Sequence, residues 1–515
     1  MSLNLQTFRQ KLSTKATPYF LLGSLVFLYL QTFILPFIPI YLGDNAPVYL
    51  LDGKRMLQGE VIYRDFFELT FPGTPLLYCA LFKLFGVHAW IPNALLIALG
   101  VGLLGVSVAL SQRVLSGAAV FLPGLFFLIF AYGNALDATH HWFSVLAALG
   151  AAAVLLEKRS LPRLAWAGAL CGLATLFTQS RGLLALLALA VFLCWERRAK
   201  KLSYGWLVKT TAVLSLAFLA IVVPVVTCVA WEAGWRRFFY CTFIFVRKCY
   251  SFFSRNNLGV YAVDVPEFSS WLELPAWAIW VFIHVLVPLI FILFLVRYAR
   301  EAASDRPHES WDQLLLINLM GLFSFLAIAP SPTWFKLCTA SLPALIVFVW
   351  FLRSPGKLGR VFRGLLWVAI LLGAVAQPAM RQTDWRGLLG TPVGRAAFVE
   401  PLRYEKFRWL RDRTQPGQYL FEAGDTALYF LLDLRNPAEV PFLTPTDYTR
   451  PEQVQRTVQA LEKHRVPFVV WSVDLDLPEP DQVGGDHLGP LRAYLRAHYR
   501  VVKTFDDGSQ VWQLF

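Results

Sequence analysis

Hydrophobicity along this chain comes in long blocks, not in the short alternation of strands or the single apolar stripe of a surface helix. Uncharged or nearly uncharged stretches of spanning length lie at 17–42, 90–112, 115–136, 140–156, 163–180, 182–196, 208–231, 274–296, 312–332, 337–352 and 362–379. The pattern predicts eleven α-helical spans. The apolar piece from Pro72 to Phe82 is too short to cross and reads as an interfacial or re-entrant helix. The first block is long enough to stay as an anchor and lacks a cleavable leader pattern.

Two segments break the rhythm. Between the first blocks, "YLGDNAPVYLLDGKRMLQGEVIYRDFFELTFPG" carries five acids, Asp44, Asp52, Glu60, Asp65 and Glu68. Val48, Leu51 and Met56 would share one face of a short interfacial helix that Gly59 ends, with "VIYRDFFEL" following in extended form. After residue 379 the spacing changes again. "GQYLFEAG" and "PFVVWSVDL" read as strands, "PEQVQRTVQALEKH" and "GPLRAYLRAHY" as helices, and "RVVKTFDDGSQVWQLF" as a hairpin turning on Asp-Gly. The tail is expected to form a small α/β domain with a structural or acceptor-docking role.

Loop charges orient the spans. With the N-terminus in the cytoplasm, the cytoplasmic turns hold Arg9, Lys11 and Lys15, then Arg113, then Lys158, Arg159 and Arg163. Further turns hold Arg197, Arg198, Lys200 and Lys201, then Arg297, Arg300 and Arg306, then Arg353, Lys357, Arg360 and Arg363. Positive charge at every such turn is the positive-inside pattern. The acidic segment, the 137–141 turn, the 232–273 loop and the tail then face the other side.

Composition sharpens this picture. The 515 residues are 57% hydrophobic and 15% aromatic, more apolar surface than a soluble core can bury. The net charge of +13 does not point to nucleic acid. Residues 380–515 hold 17 Lys+Arg against 18 Asp+Glu, so the positive excess lies among the spans, where it meets lipid phosphates. None of the seven Cys lies in the tail, and no CxxC spacing occurs. Cys241 and Cys249 would stand roughly 12 Å apart on a helix, too far to bridge.

Candidate chemistry collects on the face opposite the basic turns. Asp44 follows the first block directly; it is either a plain helix N-cap or a reactive carboxylate. Arg181 in "FTQSRG", Lys336 in "PTWFK" and Arg64 in "YRDF" run against the positive-inside trend. Charge at membrane depth is expensive and marks function, although snorkelling or pairing with Asp65 would account for Arg64. Asp137, His140 and His141 share the turn "NALDATHHWFSV". Adjacent histidines on a helix point about 100° apart and rarely share an ion, so hydrogen bonding to a ligand competes with metal ligation and with plain interfacial structure. In "GWRRFFYCTFIFVRKCYSFFSRNN" cations and aromatics interleave, as an aromatic belt or as a helix gripping lipid phosphate.

A first span, then Asp, then "LLDGKRMLQGEVIYRDF" and "PGTPLLYCALFKLFG" together resemble the first extracytoplasmic loop of the GT-C glycosyltransferases. The likeness is closest to the bacterial branch related to protein O-mannosyltransferases and aminoarabinose transferases. It implies a polytopic all-α membrane domain over 1–379, with 43–89 as a loop bearing juxtamembrane helices, and a C-terminal extracytoplasmic α/β domain over 380–515. It also implies a multi-pass plasma-membrane protein of the bacterial inner-membrane type.

The activity so implied is inverting transfer of a sugar from a polyprenyl-phosphate donor to a hydroxyl acceptor outside the cytoplasm. An attacking hydroxyl must lose its proton, which calls for a partly desolvated carboxylate, and the departing lipid phosphate calls for fixed cations. Asp44 matches the family's proposed base; where many members have Asp-Glu this chain has Asp44-Asn45. Arg181 stands where the family often has a cation in an "LTK" setting, and Lys336 and Arg64 join it as candidate phosphate ligands. Asp137, His140, His141 and Asp65 are the candidate sugar or acceptor ligands. No cofactor is required by this chemistry, and a divalent cation is compatible with it. A transporter or flippase for an amphiphilic substrate is the alternative; such proteins show internal repeats and helices broken at the midplane. No repeat is evident here, and the polar residues collect at one face.

Overall fold

A computed structural model describes residues 2–43, 45–250, 265, 274–302, 310–352, 357–476 and 486–515. Asp44 lies outside the described residues, as do Arg306, Arg353 and the part of the aromatic-basic stretch beyond Tyr250. Each of the eleven apolar blocks carries helix. The first nine helices are α1 (Ser2–Thr32), α2 (Ala46–Leu57), α3 (Gly73–Phe85), α4 (Ile91–Ser111), α5 (Leu122–Phe127), α6 (His140–Glu157), α7 (Leu161–Phe177), α8 (Gln179–Ala199) and α9 (Tyr204–Ala233). Among the described residues, seven helices are long and apolar enough to cross a membrane by length and composition. The fold is that of a polytopic membrane protein with a small C-terminal sheet domain.

The first block is helical only to Thr32, ten residues short of its apolar end. Pro36 and Pro39 lack the N–H that a continuing helix needs, and the chain turns instead into a two-residue hairpin, β1 (Phe33–Ile34) with β2 (Ile38–Pro39). Tyr41 then donates its N–H to the Ala397 carbonyl of the tail at 2.8 Å. The exit of α1 is thus tied to the C-terminal domain.

Small residues let the helices approach closely, as lipid-embedded packing requires. A Cβ added at Gly168 of α7 would run into the Leu214 carbonyl of α9, and one at Gly172 would lie 2.8 Å from the Phe218 carbonyl. Gly182 likewise lets the first turn of α8 abut the last turns of α7 at Cys171 and Thr175. The far end of this bundle carries matched charges. Arg159 meets Glu196 at 3.2 Å, Lys200 bridges Glu196 (2.6 Å) and Asp312 (2.8 Å), and Arg163 meets Glu157 at 2.8 Å.

The α2 helix departs from the expected interfacial helix with one wet face. It ends at Leu57 with Gly59 in the left-handed region (φ 93°), as expected, but it is buried on both sides. Asp52, Lys54 and Arg55 are 2%, 3% and 7% exposed, while Val48 and Met56 are only half-buried. The reason is the tail, which covers the helix. Lys54 pairs with Asp433 at 2.6 Å and donates to the Leu434 and Tyr429 carbonyls, and Arg55 donates to the Ala438 carbonyl at 2.9 Å. The segment read as extended is broken by a turn over residues 63–65, closed by an isolated bridge between Ile62 and Phe66 and with Tyr63 at φ 67°.

In the tail, the last long helix runs on to Thr383 before the hairpin β3 (Gly387–Thr391) with β4 (Gly394–Phe398). A helix over Pro401–Arg411 leads into a four-stranded sheet of order β5-β6-β8-β7. Its strands are β5 (Phe421–Glu422), β6 (Phe468–Trp471), β7 (Tyr499–Thr504) and β8 (Gln510–Leu514). The first two run parallel, joined by a crossover that contains the Pro451–Lys463 helix; the other pairs are antiparallel. Both predicted strands, both predicted helices and the closing hairpin are present. The β3–β4 hairpin and the Pro401–Arg411 helix are additions to the sequence expectation.

Candidate functional site

The backbone on either side of Asp44 is held from two distant elements. On one side Arg403 of the tail donates to the Gly43 carbonyl at 2.9 Å. On the other, α2 has Asn45 at its N-cap, in a helical conformation that makes no side-chain cap bond. Asp137 supplies the missing acceptor from across the fold. Its carboxylate takes the Ala46 N–H at 2.9 Å, the Asn45 N–H at 3.3 Å and the Asn45 Nδ2 at 2.9 Å. A carboxylate at a helix N-terminus satisfies orphan donors and suits the helix dipole. The plain N-cap reading of Asp44 therefore moves one residue along, to Asn45 with Asp137 as its partner. Asp137 itself is buried, at 2% exposure, and holds backbone.

Beside this turn three helices begin together. His140 and His141 open α6, Arg181 lies in the first turn of α8, and Lys336 lies in the first turn of the Trp334–Phe351 helix. Contacts tie the three starts. Thr178 Oγ1 donates to the His140 carbonyl at 3.2 Å, Arg181 donates to His141 Nδ1 at 3.5 Å and to Thr339 Oγ1 at 2.5 Å, and His141 packs edge-on against Phe335. Their N-caps are all threonines, Thr139, Thr178 and Thr333, and none makes a side-chain cap bond. Uncapped N-termini leave N–H donors and the positive ends of helix dipoles pointing into the site.

The cations make that field stronger. Arg181 is 4% exposed, and its second terminal nitrogen, Nη1, has no hydrogen-bond partner among the described residues. Lys336, half-buried, bonds Ser331 Oγ at 2.8 Å. Among the described residues neither cation meets a carboxylate, in contrast to the paired charges at the far end of the bundle. Arg181 can only donate, so Nδ1 of His141 must be the bare nitrogen and the ring neutral. His140 Nδ1 is taken by the Tyr49 hydroxyl at 2.6 Å. The arrangement brings buried positive charge and three helix N-termini together, and among the described residues no carboxylate pairs with it.

Arg64 and Asp65 do not join it. Arg64 is exposed and forks onto the Asp65 carboxylate at 2.9 and 2.8 Å, and Asp65 also accepts the Val61 N–H. The pair satisfies itself, as the pairing explanation expected. In the aromatic-basic stretch, Trp235, Phe239 and Phe243 are exposed while Phe238 and Phe245 are buried, and Arg237 is stapled to Tyr63 and Glu439. Among the described residues no group of three His, Cys, Asp or Glu converges in metal-binding fashion.

Sequence reasoning did not single out Tyr49, Thr178 or Thr339, whose uncharged side chains leave no mark in apolar segments. It also passed over Asp52 and Glu68, two acids of the quoted segment that prove to be a buried pair. Glu68 accepts the Leu69 and Thr70 N–H groups and the Thr70 hydroxyl at 2.7–2.9 Å. Burial, then the neighbouring Glu68 charge, hold the Asp52 carboxyl well above the usual range, and burial also raises Glu68. Burial and the Glu68 charge thus favour a proton on this pair, with Asp52 raised the more strongly. Folded-state pKa values raised in this way give stability that is fully present below about pH 4 and is lost as pH climbs through the raised values. Asp52→Asn, a permanent mimic of the protonated acid, should flatten that dependence and melt higher than wild type at neutral and alkaline pH. Melting curves of the purified protein across pH check this; a variant that melts lower throughout would refute the shared-proton assignment.

No protein-family model matches the chain, and no curated protein sequence matches it. Solved structures do. The crystal structure of ArnT from Cupriavidus metallidurans bound to undecaprenyl phosphate aligns at TM-score 0.61 and 13% identity, covering 97% of this chain and 98% of that one. The apo form of that protein aligns at 0.59 and 14% identity over the same shares. An oligosaccharyltransferase from Archaeoglobus fulgidus aligns at 0.48 and 12% identity, over 91% of this chain and 70% of that one, too loosely to bear on it. At these identities the likeness is one of fold, end to end.

Proposed function

We infer that this chain, which has the GT-C fold, is a membrane glycosyltransferase that moves a sugar from a polyprenyl-phosphate donor to an acceptor hydroxyl. In this reading its N-terminus is cytoplasmic, and the tail and site face the other side. The observation that carries the reading is the meeting of three uncapped helix N-termini at Arg181 and Lys336, cations that no carboxylate neutralises among the described residues. A lipid-linked phosphate fits that site: its charge answers the cations, and its oxygens can take the open Arg181 donor and helix N–H groups. Undecaprenyl phosphate bound to the ArnT relative supports the same ligand class.

Asp44 acts as general base in this scheme. The acceptor oxygen attacks the anomeric carbon from the face opposite the phosphate, the bond from that carbon to the phosphate oxygen breaks, and the hydroxyl proton passes to Asp44. Configuration inverts, and negative charge gathers on the leaving polyprenyl phosphate, where Arg181 and Lys336 stabilise it. Asp137 and Arg403 position the backbone on either side of Asp44.

Binding of undecaprenyl phosphate by the purified full chain tests the cation assignment directly. Native mass spectrometry should show the lipid retained by wild type and its affinity lowered at least about tenfold in the Arg181→Ala/Lys336→Ala double variant. Equal retention by both would remove the two cations from the donor site.

A further inference from the structure

A cavity of about 270 Å³ lies in the tail, away from Arg181 and Lys336. It sits where β5 and β6 end side by side in parallel, the place where α/β sheets gather their ligands. Glu422 closes β5 and Ser472 follows β6; Asp425 comes from the turn after β5. The Pro401–Arg411 helix contributes Arg403 and Lys406, and the β7–β8 turn contributes Asp507.

This cavity is joined to the Asp44 turn. A smaller one of about 140 Å³ shares Glu400 and Arg403 with it and is lined beyond them by Tyr41 and Gly43. Arg403 makes the link through non-covalent contacts. One nitrogen donates to the Gly43 carbonyl at 2.9 Å, the Nε meets Glu400 at 3.2 Å, and the guanidinium lies 5.6 Å over the Tyr41 ring.

We propose that the tail cavity is an acceptor subsite, holding one uncharged sugar unit of a glycan so that a neighbouring hydroxyl reaches the Gly43 turn through the smaller cavity. The assignment rests on the glycosyltransferase reading. Its chemistry is the reverse of the donor site. Four acids, Glu400, Glu422, Asp425 and Asp507, face two bases, and the bases are already engaged, Arg403 with Glu400 and Lys406 with Asp507 at 3.3 Å. A phosphate would be repelled. Carboxyl and serine oxygens are the groups that exchange hydrogen bonds with sugar hydroxyls, and Phe407 and Tyr41 add apolar lining to the two cavities. Burial and the nearby Asp425 charge push the Glu422 carboxyl up to about 8, so at neutral pH it can donate as well as accept. The volume, just under the roughly 300 Å³ at which ligand pockets begin, suits a single ring.

Saturation-transfer NMR on the purified full chain, with no donor present, tests this. The probes are glucose, galactose, mannose and N-acetylglucosamine, with inorganic phosphate as competitor. At least one sugar should receive saturation, phosphate should not displace it, and Asp425→Asn and Ser472→Leu should each weaken it about tenfold while Arg181→Ala leaves it unchanged. Melting curves confirm that both cavity variants are folded; Asp425→Asn changes charge at nearly constant shape. No saturation of any neutral sugar, displacement by phosphate, or unchanged binding in both variants would overturn the subsite. Because donor is absent, that failure concerns the subsite alone. Sugar binding with no transfer in a donor-supplied assay would instead overturn the transferase reading and leave the cavity standing.

Discussion

Arg181→Ala is expected to slow transfer by about 10²–10³-fold, the usual cost of removing one fixed donor from a developing anion. Because charge builds on the phosphate as the sugar leaves, turnover should fall further than donor affinity. Stability should move the other way. Arg181 is buried beside two helix N-termini, its Nη1 has no partner among the described residues, and its bonds go to a threonine and a neutral histidine. Removing a buried cation that no carboxylate pairs with among the described residues relieves a desolvation cost, so the variant should melt at or above the wild-type temperature. Arg181→Lys should recover part of the rate, since a point charge still meets a phosphate but without the planar fork. A purely structural Arg181 requires the opposite pair of results, a less stable protein with normal turnover per folded molecule. Turnover against donor concentration, set beside melting curves for both variants, separates these outcomes.

Asp44→Asn should lower transfer by about 10²–10⁴-fold in a folded, inserted protein, because it removes basicity at nearly constant shape. The capping chemistry next to it makes this a clean test. Asn45 is the N-cap residue of α2 and Asp137 satisfies the first N–H groups, so α2 does not depend on a carboxylate at position 44. If more than about a tenth of the wild-type turnover survives, the general-base role fails.

The helices of the apolar blocks were legible because a bilayer admits few alternatives: a run of roughly 20 apolar residues has to satisfy its backbone internally as helix. Arg181 and Lys336 were legible for the same reason, as charges where charge is costly. What the sequence hid depends on partners far along the chain. Pro36 and Pro39 carry no charge and so do not interrupt the first apolar block, yet they end α1 early and hand its exit to Ala397. Lys54 and Arg55 look like a solvated face until the 429–438 segment covers them. Asp137 was legible as a polar turn residue but not as the cap of a helix 91 positions away. The β3–β4 hairpin, "GLLGTPVGRAAF", has too many glycines and too little alternation to announce itself. Arg64 and Asp65, adjacent in sequence, satisfy each other and needed nothing further.

Mass spectrometry of glycolipids and envelope glycans, in cells with and without the gene, tests the transferase reading most directly. The expected result is the loss of one defined sugar from an acceptor, with its polyprenyl-phosphate donor accumulating, and restoration by the wild-type gene but not by Asp44→Asn. An unchanged sugar inventory, or full restoration by Asp44→Asn, would contradict it.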